Sequence, residues 1–225
     1  DRDLTVLYIN ELGAKVGGRT PQEAAGTKCY DHFRTGDCRT EKCACRRAID
    51  DGRTSTSETD AHPGTLNLEI AYTGVPLRDQ QGKVIGAFEV VTDQTAVKQA
   101  AARAGKVADY QSKETDHLAD VLAKLAKGNL EFTMAVTPGD AETQAVQKTF
   151  EVLGAAVSQC AAAVRRLVLD ARSLAQAAVE GKLATRADAT KHEGDFRKVV
   201  EGVNASLDAV IGPLNVAAEY VDRIS

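Results

Sequence analysis

Four of the five cysteines, Cys29, Cys38, Cys43 and Cys45, fall within seventeen residues in the spacing C-x8-C-x4-C-x-C. Four thiolates this close can converge on one tetrahedral zinc ion or carry an iron–sulfur cluster, because soft ligands suit both. The paired C-x-x-C of common zinc sites is absent. Cys43 and Cys45 are expected near the first turn of a helix starting around Thr40-Glu41, with Arg46 and Arg47 adding positive charge. A helix dipole and nearby cations lower a thiol pKa, so thiolates there would react with oxidants as well as metals. Three readings of the cluster stand side by side: a metal or cluster site, a redox thiol pair, and inert structural thiols. His32 lies among the cysteines as a substitute ligand or a structural residue. The sequence has no nucleotide-binding glycine motif, no Ser/His/Asp set in a plausible context and no kinase or cyclase signature, so catalysis is not expected.

The elements that position these residues are legible from pattern. Leu4 to Ile9 reads as a β-branched strand, and Asn10 is a good cap for a short helix ending near Gly17-Gly18. Thr20-Pro21-Gln22-Glu23 signals a second short helix that Gly26 stops, and a third runs from about Thr40-Glu41 to Asp51-Gly52. Thr54 to Asp60 is strand-like, and His62-Pro63-Gly64 is a turn. Leu66, Leu68, Ile70 and Tyr72 then alternate with polar or small residues as in a half-buried strand. Asp79-Gln80-Gln81-Gly82 is a hairpin turn before an apolar strand from Val84 to Thr92. Residues 1–95 therefore predict an α+β domain with an antiparallel sheet and inserted short helices.

After Thr95 the pattern turns helical through Ala100, Ala104, Val107 and Tyr110, becomes polar at Glu114, Thr115 and His117, and resumes from Leu118 until Gly128. Leu130, Phe132, Met134 and Val136 alternate with Glu131, Thr133 and Ala135, which predicts an extended connector packing every second side chain. From Gln144 to Val179 one seam holds its phase: Val146, Phe150, Leu153, Val157, Cys160, Val164, Leu167, Ala171, Leu174 and Ala178. Its steps alternate four and three, the 3.5-residue repeat that drives left-handed supercoiling against another helix and predicts a symmetric dimer. Cys160 is on that seam, where packing is the expected role. A second connector, Lys182 to Gly194, leads to a last helical phase through Val200, Val203, Leu207, Val210 and Leu214. Gly128-Asn129-Leu130 returns as Gly181-Lys182-Leu183, and Gly139-Asp140 as Gly194-Asp195, so the helix–connector–helix unit is repeated.

Composition narrows the classes. The net charge of −4 and the 4% aromatic content leave no basic stripe for nucleic acid. No uninterrupted apolar run reaches the ~18 to 20 residues of a membrane span, and no signal-peptide pattern opens the chain. Cysteines gathered in one short stretch do not fit a disulfide-rich secreted domain, so a cytoplasmic setting is expected. The sequence looks cut at both ends, with any membrane segment and the output domain expected outside it.

Leu7-Tyr8-Ile9-Asn10, Thr20-Pro21-Gln22-Glu23 with Gly18 and Gly26, Pro76-Leu77-Arg78-Asp79 before Gly82, and Asp93-Gln94-Thr95 resemble a PAS sensory domain. The resemblance covers residues 1–95, with the first strand of the family missing. It implies that Asp93 and Thr95 form the signal exit, hydrogen-bonding the strand end to the next helix. It leaves haem and flavin open beside zinc and iron–sulfur, and a small-molecule pocket open beside all of them. The Gly-x-Leu at each connector start, Gly139-Asp140-Ala141-Glu142, and Gly194-Asp195-Phe196 with Val203-Asn204 resemble HAMP domains in the arrays of methyl-accepting chemotaxis proteins. That resemblance covers residues 110–225. It places a helical linker at 96–113, HAMP units at 114–164 and 165–212, and a third, truncated unit at 213–225 from Gly212-Pro213-Leu214. Neither of the first two units opens with the family's Pro, and the second lacks a counterpart of Glu142.

A HAMP unit is an all-α parallel four-helix bundle only when two chains dimerise. Val146, Phe150, Leu153, Val157, Val164, Leu167, Leu174, Val203 and Leu207 would then line the dimer seam. The expected whole is the relay part of a chemoreceptor homodimer feeding a downstream signalling domain of the same chain. A sensor histidine kinase or cyclase input, or a metal or redox module on a structural stalk, are the alternatives. Where one unit hands over to the next, near Cys160 to Val164, a bend or phase shift is expected.

Overall fold

The computed structural model describes residues 1–224; Ser225, the last residue of the expected third unit, lies outside the described residues. The chain falls into two units, residues 1–105 and the remainder from Lys106.

The first unit is built on an antiparallel sheet of β1 (Ser55–Ala61), β2 (Leu68–Arg78) and β3 (Val84–Asp93), in that order. The period-2 pattern is realised on β2, where Ile70, Tyr72 and Gly74 are buried on one face. The Asp79 carboxylate accepts from the amides of Gln81 and Lys83 at 3.0 and 2.9 Å, closing the hairpin, and Gly82 supplies a φ of 82°. Four short helices precede the sheet, α1 (Glu11–Val16), α2 (Pro21–Ala24), α3 (Cys29–Phe33) and α4 (Ala44–Asp51), and α4 packs on all three strands while α1 packs on α2. Asn10 caps α1, and Thr20 with Glu23 forms a full capping box on α2. Ala44, Ala61, Ile70 and Tyr72, with Leu68 beside them, make the core between α4 and the sheet.

Three expectations are corrected here. The run from Leu4 to Ile9 is not a strand of the sheet. Leu4 has a φ of 60°, and the run's backbone bonds go to the segment before and at the start of α3: Val6 N–H to Thr27 O at 2.9 Å, Cys29 N–H to Leu4 O at 2.9 Å. Leu7 and Tyr8 are 72% and 80% exposed. β-propensity reports fit to a half-buried pleated surface, and no such surface receives this run. The helix expected from Thr40 starts at Ala44, because Thr40 Oγ1 donates to Asp37 O and accepts from Lys42 N–H in a turn of its own. The five residues of α3 are too few to show a helical period and were not anticipated.

In the second unit, α5 (Thr95–Ala126), which begins in the first, runs unbroken through the polar stretch at Glu114 to His117. α6 (Gln144–Val179) and α7 (Gly194–Ile224) follow the two connectors. The first connector is extended, with Leu130, Phe132, Met134 and Val136 half-buried and Glu131, Thr133 and Ala135 exposed. Met134 sits over Gly154, where an added Cβ would lie 3.3 Å from its Cγ. The second connector contains a short 3₁₀ turn, Ala189–Lys191, and leaves Leu183 more exposed than Leu130.

α6 passes Cys160 to Val164 without a break in the helix, and Pro213 lies inside α7. α6 also departs from the composition reading. An 18-residue window averages a hydropathy of 1.4, so by length and composition this helix is apolar enough to cross a membrane. Sparse charges between the Val, Leu and Ala positions produce that average, although Arg165, Arg166, Asp170 and Arg172 follow closely in its second half.

Candidate sensory site and signal exit

The thiols and the sheet meet where glycine lets them. Gly74 on β2 faces the first turn of α4, and an added Cβ would stand 2.8 Å from both Ala44 O and Cys45 Cα. The cross-strand partner of Gly74 is Glu89 on β3, so the Glu89 carboxyl rises from the same inner face beside Cys45. The Cys45 thiol hydrogen-bonds to that carboxyl. Cys43, the residue before α4, and Cys29, the first residue of α3, lie close enough for their charges to be felt at the same place.

Burial governs the protonation of this cluster. It pushes the Cys29 thiol up to about 12, with the negative charges of Glu89, Cys43 and Cys38 adding to the effect. It raises Cys43 and Cys45 as well, Glu89 being the next cause at Cys45. The expected lowering of thiol pKa is therefore corrected. The helix start supplies some backbone hydrogen bonding to Cys43, but desolvation outweighs it. The two arginines point elsewhere: Arg46 to Arg2 O and Asp50, Arg47 to Thr56 O. Glu89 is raised to about 7, by burial first, with the Cys45 hydrogen bond opposing. Three neutral thiols around a readily protonated carboxyl can exchange a proton, and are poor nucleophiles.

Cys38 borders that centre, near enough for its charge to be felt at Cys29 and Cys43, while His32 is engaged elsewhere. Cys38 Sγ takes the Thr35 amide and hydroxyl at 3.2 and 3.1 Å. Among the described residues no group of three or more Cys, His, Asp or Glu side chains is arranged to hold a metal ion. Ligation by Cys29, Cys38, Cys43 and Cys45 thus finds no preformed site. His32 is buried against α1, its Nε2 2.8 Å from Gly13 O, and is not aimed at the thiols. Cys160 is exposed on α6 of the single chain.

At the exit, Asp93 and Thr95 are joined in the expected way. Asp93 Oδ1 accepts the Thr95 amide at 2.8 Å, capping α5, while Thr95 Oγ1 accepts the Glu69 amide from β2 at 2.9 Å. Gln94 N–H bonds Glu69 O at 2.8 Å, and Lys98 in the first turn of α5 pairs with Glu58 and Glu69 at 3.2 and 3.4 Å. The sheet and the start of α5 thus share five polar contacts.

The seam residues divide. Phe150 is buried, and Val146, Val157, Val164, Leu167, Leu174 and Leu207 are half-buried, whereas Leu153 and Val203 are exposed. The positions α6 buries within its own chain are the seam residue Phe150 and three neighbours of seam residues, Gly154, Ala161 and Ala177, beside Leu153, Cys160 and Ala178. Sequence reading missed Glu89 and Gly74. The available signal was a lone Glu in the apolar run from Val84 to Val91, a residue that a half-buried strand should place outward but this one turns inward.

Two family matches accompany these features: a PAS fold over residues 1–99 and a HAMP domain over residues 191–225. No curated protein matches the chain. Similar solved structures include the Vibrio cholerae VqmA dimer in the absence of target DNA, at 19% identity over 43% of this chain and 44% of that one, TM-score 0.38. VqmA bound to DPO matches at 18% identity, covering 41% and 48%, TM-score 0.35. The VqmA–ligand–DNA complex matches at 18%, covering 45% and 49%, TM-score 0.33. The chain spans about half the length of these structures or less. This chain therefore carries a PAS-fold domain at residues 1–99 followed by a HAMP domain at residues 191–225, the composition of a signal-transduction input module.

Proposed function

We propose that the chain is the sensory and relay part of a homodimeric chemoreceptor, in which a stimulus at the PAS domain is passed through tandem HAMP units to an output domain. The observation that carries this reading is the bonding of β2 to the start of α5 through Asp93, Gln94 and Thr95, because a change in the sheet reaches the helix there without a flexible linker. The relay needs two helix packings separated by only a few kcal/mol, which a small ligand energy can bias.

Support for two units at 114–164 and 165–212, of which the HAMP match reaches only residues 191–212, comes from a repeat in the bonding. In the first, Glu114 on α5, 1% exposed, accepts the Thr137 amide at 3.2 Å. In the second, Asp170 on α6 meets buried His192 at 2.6 Å. Glu114 and Asp170 lie 56 residues apart, Thr137 and His192 55 apart, matching the sequence repeat. Each connector end is thus fixed to the preceding helix by a carboxylate. Support for the dimer comes from the apolar surface α7 leaves open, a groove of about 690 Å³ lined by Leu183, Val199, Val203, Leu207, Val210 and Leu214. The chemoreceptor output rests on the Gly194-Asp195-Phe196 and Val203-Asn204 resemblance; a histidine kinase would use the same input. Replacing Leu167 with Glu tests the relay: stimulus-dependent output of the full-length protein should be lost, and an unchanged output rejects it.

A further inference from the structure

A cleft of about 670 Å³ lies between the segment following α3 and the edge strand β1, and the thiols are not among its walls. Asp37, Glu41, Lys42, Arg47, Ser57 and Glu58 line it. Glu58 is committed to Lys98 at 3.2 Å, and Asp60, also on the wall, to His62 at 2.7 Å. Two carboxylates, Asp37 and Glu41, and two cations, Lys42 and Arg47, remain without an ion pair among the described residues, so the cleft is nearly neutral but charge-separated.

Two of these groups are built for a ligand. Asp37 is 5% exposed, and its Oδ2 accepts from Ser57 Oγ at 2.5 Å and Tyr72 OH at 3.0 Å. Those bonds fix the carboxylate and leave Oδ1 for another donor. Arg47 donates through Nη2 to Thr56 O at 2.9 Å, while its Nε is buried with no partner. A buried donor without an acceptor is costly, and an incoming carboxylate removes the cost.

We propose that this cleft binds a small zwitterion, an α-amino acid or a close analogue. Its carboxylate takes Arg47 Nε and Lys42, and its ammonium takes Asp37 and Glu41. The cleft adjoins the exit, because Glu58 on its wall holds Lys98 in the first turn of α5. Transmission of occupancy to α5 rests on the relay reading above, but occupancy of the cleft does not.

Isothermal titration of the full chain with each standard α-amino acid tests it. At least one should bind, and its decarboxylated amine and deaminated acid should each bind about tenfold more weakly or worse, since each lacks one of the two charged groups and the contacts that group makes. Asp37→Asn, which keeps acceptors for Ser57 and Tyr72, and Lys42→Met, at an exposed position where folding is not at stake, should each weaken binding by a similar factor. The site is overturned if no amino acid binds at millimolar concentration, if an amine or acid alone binds equally well, or if both variants bind like the parent. A failure of the relay reading alone is distinguishable: calorimetric binding stays intact while Leu167→Glu leaves signalling output unchanged.

Discussion

Glu89 puts a carboxyl on the inner face of the sheet, where burial raises its pKa to about 7 from an ordinary value of 4.5. A carboxyl raised on folding holds its proton more tightly in the folded chain than in the unfolded one. Its contribution to stability is complete below about pH 4.5 and is lost as the pH rises through about 7. Glu89→Gln imitates the protonated form at all pH values. The urea midpoint of the variant relative to the parent should therefore rise between about pH 5 and about pH 8; an equal difference at both pH values refutes the buried-carboxyl account. Gly74 is the other residue on which this site depends. Gly74→Val places a side chain against Ala44 O and Cys45 Cα, and should destabilise by ~1 to 3 kcal/mol in urea unfolding while freeing Cys45 to react with a thiol reagent. The cysteines themselves were legible in the sequence, but their protonation was not. Dipole and arginine effects are local in sequence, whereas desolvation depends on what packs over the thiol, here the sheet at Gly74 and Glu89, 29 and 44 residues downstream of Cys45.

At the scale of elements, the joint between β2, β3 and α5 carries the mechanical argument. Asp93 caps α5 while Thr95 ties that cap back to Glu69, so the two side chains act on one junction from opposite sides. Losing a helix cap costs ~0.5 to 2 kcal/mol, well below global stability, so Asp93→Ala should loosen the joint without unfolding the domain. Amide exchange checks it: the first turn of α5 should lose protection in Asp93→Ala, the Glu69 amide in Thr95→Val, and the β1–β2 ladder in neither. The long helices, the hairpin and the alternating connector were legible because each carries a period over many residues. The Leu4–Ile9 run was not, since its composition is strand-like but its hydrogen bonds are supplied by the backbone near the start of α3. α3 was hidden for the opposite reason, being shorter than two helical turns and held by His32 packing on α1.

At the scale of the molecule, α6 leaves part of its apolar seam uncovered by its own chain. Within its own chain it buries Phe150, Gly154, Ala161 and Ala177, while Leu153, Cys160 and Ala178 of the predicted seam remain open. Gly154 and Ala161 follow Leu153 and Cys160 by one residue, a step of about 100° round the helix, whereas Phe150 lies on the seam itself and Ala177 precedes Ala178. The periodicity alone does not separate a side covered within the chain from one left for a second chain, because both would use the same 3.5-residue spacing. If the second chain is parallel, as HAMP bundles require, equivalent seam residues of the two copies come together along the whole helix. If it is antiparallel, the end of the seam meets its beginning. Ala178 distinguishes the two, because an antiparallel partner places Val146 beside it and the second Ala178 about 48 Å away at 1.5 Å rise per residue. A chain carrying Cys160→Ser and Ala178→Cys, treated with a short bismaleimide, should give a covalent dimer, and the Cys160→Ser parent should not, since its remaining thiols lie in the first unit, buried or half-buried. Loss of that product on introducing Leu167→Glu would tie the cross-link to the seam. Efficient cross-linking only when an Ala178→Cys copy is mixed with a Val146→Cys copy would establish the antiparallel arrangement and remove the basis for a HAMP relay through α6.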